Sequence, residues 1–167
     1  MKSTDPEIKR FLDIFLNDRA INKEFYTRVS EDKLDFHMVD KPERKSDSPR
    51  QSIAHQIYVT RKYIYGVKTG TLKFDGIVEK PLLRSETMSK KELLDELEET
   101  EKELIALLND PTIAKKTVIV SWSKDPVPAI ASLWGLQSHE VLHIGWNLAV
   151  MDHLNIERFP LLKQTWG

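Results

Sequence analysis

The segment HEVLHIGW at residues 139–146 places two imidazoles four positions apart with a carboxylate beside the first. On a helix, positions four apart project within about 40° of each other and about 6 Å apart along the axis, so His139 and His143 can hold one ion together. Two polar residues on a solvated face would be the bland alternative, but Val141, Leu142, Ile144 and Trp146 leave little room for one. HExxH is also the signature of zinc peptidases, with the glutamate as general base. That reading needs a third ligand. The longer HExxHxxGxxH pattern wants glycine and histidine at 146 and 149, where Trp146 and Ala149 stand. His153 lies about 15 Å beyond His143 on the same helix, and Glu157 falls just past its end instead of on a separate helix. The protease meaning therefore does not follow, and Glu140 is read as a structural or rim carboxylate ahead of a base.

His55, among Ile53, Ile57 and Tyr58, is the better third ligand, because metal sites in helical bundles are built from side chains on facing helices. Three imidazoles leave an open coordination position, the arrangement of catalytic zinc-type sites. His37, in DFHMVD, lies at a loop edge and reads as a turn residue or a weak site rim. Trp122, Trp134 and Trp146 are spaced twelve apart, a spacing that packing explains. GxSxG, GxxxxGK and GxGxxG are all missing from the sequence, so acyl-serine chemistry and nucleotide-phosphate cradles lack support.

The elements that must position these histidines can be read from caps and periodicity. Thr4 to Glu7 start a first helix, carried by Ile8, Phe11, Leu12, Phe15, Phe25 and Val29 to about Ser30. The polar segment 33–47, with Pro42, reads as a loop. Ser48, Pro49 and Gln51 open a second helix that carries His55 to about Tyr65 and is closed by Gly66 and Gly70. Thr71 to Thr87 is a long connection. Ser89 and Glu92 cap a third helix with the stripe Leu93, Leu94, Leu97, Leu104, Ile105 and Leu108, stopped by Asn109, Asp110 and Pro111. Residues 117–122 form an extended piece that alone cannot make a sheet. Asp125 and Pro126 open a long fourth helix through Met151, with HEVLH in its middle. The expectation is an all-α protein, one four-helix-bundle domain over residues 1–167.

Composition limits the chemistry further. The chain has 167 residues, enough to bury a core without a structural metal. It has 25 Lys plus Arg against 26 Asp plus Glu, with no run of one sign, which argues against nucleic-acid and anionic-membrane partners. There is no cysteine, so any metal must be held by imidazole and carboxylate. The charged start MKSTDPEIKR and the lack of a long apolar run lead us to expect a soluble cytoplasmic protein.

Ser48 followed seven residues later by His55, a distant HxxxH with glycine two residues on, and a closing turn containing Pro160 together resemble the DinB-like, or YfiT-like, metal-dependent hydrolase superfamily. The resemblance extends over nearly the whole chain. It implies an up-down-down-up four-helix bundle, commonly dimeric, in which His55, His139 and His143 bind one divalent ion, zinc, nickel or iron. The chain departs from the family pattern at Ile144 and Trp146. Because an ion held by three neutral imidazoles activates a water or a thiol as nucleophile, two enzymatic expectations follow. One is a hydrolase of a small molecule. The other, an activity the superfamily also contains, is a transferase using a low-molecular-weight thiol cosubstrate. A non-enzymatic metal-binding or stress-response interaction module is the alternative.

Overall fold

The computed structural model describes residues 5–74 and 85–166. Four long helices run α1 Pro6–Arg28, α2 Pro49–Thr69, α3 Lys90–Leu108 and α4 Ala129–Leu154, followed by a short α5, Pro160–Trp166. Each of α1 and α2 packs against both α3 and α4, so the four form a bundle. Among the described residues, no helix is long and apolar enough to cross a membrane.

The helix starts are set by side-chain caps. Ser48 and Ser89 form capping boxes with Gln51 and Glu92, as expected. At α1 the cap is Asp5, whose carboxylate accepts from the amides of Glu7 and Ile8; Thr4 lies outside the described residues. The second helix runs past Gly66 and ends only at Gly70, which adopts φ +80°. Gly66 is instead a packing residue, since a Cβ there would lie 2.8 Å from the Cβ of Leu72.

The small strands correct the sequence reading in three places. Residues 40–41 (β1) and 44–45 (β2) pair as a short hairpin inside the segment read as loop. Thr71–Leu72 (β3), inside the expected connection, runs parallel to Thr117–Val120 (β4), which pairs antiparallel with Val127–Pro128 (β5). The extended piece therefore does enter a sheet, because two partners too short to read as strands flank it. Pairing of Val127 and Pro128 also delays the fourth helix, which opens at Ala129 and not at Asp125 and Pro126. Residues 75–84 of the connection lie outside the described residues.

The core falls into two apolar clusters. One contains Phe11, Phe15, Tyr63, Leu104 and Leu133, the other Phe25, Ile53, Leu93, Leu97 and Ile144. Between them each of the four long helices contributes buried polar groups, namely Arg19 and Asn22 from α1, Gln56 and Thr60 from α2, Thr100 from α3, and Glu140 from α4. Arg19 meets Glu140 through two bonds, Nε to Oε2 at 3.0 Å and Nη2 to Oε1 at 2.7 Å, with both side chains fully buried. Thr60 and Thr100 accept further guanidinium protons, and Asn22 and Gln56 donate to Glu140 Oε2. A charge pair without water is tolerable only when its remaining donors and acceptors are met in this way.

Removing one side of such a pair strands the other. Glu140→Gln keeps the shape but leaves the Arg19 cation uncompensated, and we expect a loss of about 3–5 kcal/mol in urea unfolding. A loss below about 1 kcal/mol would show that the pair is not anchoring the core.

Candidate metal centre

The Ser48 cap fixes where α2 begins, and with it the heights of Ser52 and His55 in its first two turns. Because α2 packs along α4, His55 comes to face the middle of α4. His55, His139 and His143 each offer a ring nitrogen, and these three atoms lie within 4.8 Å of one another. The ring centroids are 5.0 Å apart for His55 and His139, 5.7 Å for His55 and His143, and 4.5 Å for His139 and His143. All three residues that the sequence singled out are thus brought together, from two helices.

The donor set fits a divalent ion. Nε2 of His139 and Nε2 of His143 are 3.3 Å apart, and two nitrogens bound tetrahedrally to one zinc at 2.0–2.1 Å would stand about 3.3 Å apart. His139 Nδ1 is buried with no hydrogen-bond partner among the described residues. Burial lowers the pKa of His139 to about 4, with the neighbouring His55 and Arg19 charges adding to the effect. In His143 burial, then His139, His55 and Arg19, bring it down to about 2. Burial also lowers His55, against the pull of Asp47. At neutral pH the cluster is therefore three uncharged rings with lone pairs to give.

Beside the cluster opens a cavity of about 260 Å³ lined by Asp47, Ser52, Leu142 and Trp146 together with the histidines. Leu142, counted in the sequence among the residues that leave little room for a solvated face, is 72% exposed and forms part of the rim. Glu140 turns away from this cavity into the core, where both of its oxygens are engaged, so it cannot take a proton from a nucleophile beside the histidines. His37 is tied to the Ser46 carbonyl and His153 to that of Ala149, outside the cluster. Trp134 packs edge-on against Phe11 and Trp122 stacks with Phe74, so of the three tryptophans only Trp146 reaches the cavity.

Sequence reasoning missed Ser52, whose Oγ lies 2.8 Å from His143 Nδ1. The signal available was a serine three residues before His55 on the same helix face.

The lowered histidines also set a pH dependence. The unfolded chain takes up these protons near pH 6.5, whereas in the folded chain His139 resists until about 4 and His143 until about 2. Below pH 6.5 the unfolded state binds more protons, so stability must fall as the pH drops. We expect the metal-free protein to lose stability from pH 7 to 5, and His143→Gln to show a shallower decline. Equal slopes in urea titrations of the two proteins would contradict this account.

Comparison with known proteins adds independent support for the fold. A family model described as the DinB superfamily matches residues 19–146. The crystal structure of a DinB-like protein, YjoA, from Bacillus subtilis superposes with a TM-score of 0.65 at 16% identity, covering 92% of this chain and 97% of that one. No curated protein matches the sequence. With the family model running from the middle of α1 through the histidine-bearing stretch of α4, the chain belongs to the DinB superfamily.

Proposed function

We propose that the protein is a metal-dependent enzyme that holds one divalent ion, zinc, nickel or iron, on His55, His139 and His143 and acts on a small molecule in the adjoining cavity. The observation that carries this reading is the convergence of three neutral ring nitrogens at the wall of an open cavity, a geometry that leaves a coordination position free. When bound, a divalent ion in this setting supplies Lewis-acid activation of a water or of a thiol. The rings bind and orient it, and Leu142 and Trp146 shield one side from solvent. With Glu140 committed to Arg19, α4 brings no carboxylate base to the cluster, and neither a hydrolase nor a low-molecular-weight thiol transferase then depends on one there.

The proposal includes a homodimer. Ala131, Gly135, Ser138, Leu142 and Gly145 follow a three-to-four-residue repeat on an exposed face of α4, and a Cβ at Gly145 would meet nothing within 4 Å. A small-residue face with one prominent leucine suits close packing against a second copy, next to the cavity mouth.

Purified protein is expected to carry about one divalent ion per chain, and His55→Ala should abolish binding as completely as His143→Ala. Unchanged occupancy in His55→Ala, by elemental analysis, would remove the three-histidine site. Chelation should leave helical circular dichroism intact and lower the Tm only by the mass-action term; unfolding on chelation would make the ion structural. Screening the loaded protein for consumption of electrophiles, with and without thiols, distinguishes transferase from hydrolase, and no turnover under either condition would overturn the enzymatic reading.

A further inference from the structure

The cavity beside the histidines holds a carboxylate that the metal centre does not use. Asp47 lines it together with Ser52, Leu142, Trp146 and the three rings, and with the rings uncharged at neutral pH it is the one charged residue among those that line it. The potential ligand atoms that stand within 4.8 Å of one another come from His55, His139 and His143 and not from Asp47, so its oxygens stand off the point that the three nitrogens share. The backbone that carries Asp47 is pinned on both sides. Ser46 donates its amide to the Val39 carbonyl at 2.8 Å, accepts from the Val39 amide on Oγ at 3.1 Å, and has its own carbonyl tied to His37. Ser48 is fixed by its reciprocal bonds with Gln51. Two cations close by in the chain are engaged elsewhere, Lys45 with Asp40 and Arg50 with Asp35, and among the described residues none forms an ion pair or a hydrogen bond with the Asp47 carboxylate. The dipole of α2 favours a negative charge just before its first turn, but a side chain turned to open solvent would satisfy that equally well. A carboxylate held at a cavity wall without a counter-ion, beside Leu142 and Trp146, is complementary to a cation with an apolar body.

We propose that Asp47 selects the small molecule that enters the cavity, accepting a charge-assisted hydrogen bond from a protonated primary amine whose apolar part lies along Leu142 and Trp146. The proposal rests on the metal-dependent-enzyme reading only in calling that molecule a substrate; the ammonium site itself is a property of the metal-free chain. Asp47 is then a specificity residue, set apart from the three rings that hold the ion.

The test reads the two separately. Phenethylamine, protonated at neutral pH, and its uncharged analogue 2-phenylethanol are each titrated into the metal-free full chain while the ring signals of His55 and Trp146 are followed by NMR. The amine should bind about fivefold more tightly than the alcohol, the upper range for a single ion pair at a partly open site, and the difference should shrink in high salt. Asp47→Asn should abolish the preference and leave the affinity for the alcohol unchanged, whereas Asp47→Glu, which keeps the charge, should retain part of it. Equal affinity for the two probes, no binding of the amine, or a preference that survives in Asp47→Asn would overturn the proposal. Zinc uptake by the unmodified protein is measured apart from this: a chain that takes up no zinc yet prefers the amine through Asp47 keeps the ammonium site and overturns the metal reading instead.

Discussion

The fold turns on Arg19 and Glu140, a charge pair with no access to water. Burying the two ions costs several kcal/mol each before any attraction is counted, and the cost is recovered only because α1, α2 and α3 all send hydrogen-bonding side chains to the same level. The pair thus obliges every long helix to sit at one height. Sliding any of them by a turn, about 5.4 Å, would set charge against Phe15 or Ile144. A core of leucine and phenylalanine alone would tolerate such slips far better, since apolar contacts are not directional.

The same lock sets the relative height of the histidines. Gln56 follows His55 directly, and Glu140 follows His139 directly, so in both helices one neighbour faces the polar layer while the other faces the cavity. Gln56 and Glu140 are bonded to each other, and this one contact brings the two histidine-bearing segments level. The glutamate inside the HExxH string is therefore explained without assigning it a chemical step, and the string resembles a peptidase signature only in its letters.

Much of this was legible in the sequence. The caps at Ser48 and Ser89 and the leucine stripe of α3 are local signals, and local signals place helices well. The three histidines were legible because imidazoles at bundle spacing have few other uses. The buried face of α4 was harder to read, because Leu136 and the polar Glu140 and Asn147 lie in it while Val141 and Leu148 are only half-buried, so a stripe traced through apolar residues alone drifts off the core. Arg19 reads as an ordinary surface arginine until a partner more than a hundred residues away is known. The short strands failed for a related reason, since pairs of two residues carry no periodicity and exist only through their neighbours.

The histidines also come from distant parts of the chain, His55 from α2 and His139 with His143 from α4. An ion shared between them closes a loop of 84 residues, from 55 to 139, and in an unfolded chain that closure alone costs about 4 kcal/mol of entropy. A floppy chain would hold the ion only through the adjacent pair on one segment. On the proposed metal-binding reading, the bundle would assemble empty and an ion would load afterwards, through the cavity mouth past Leu142 and Trp146.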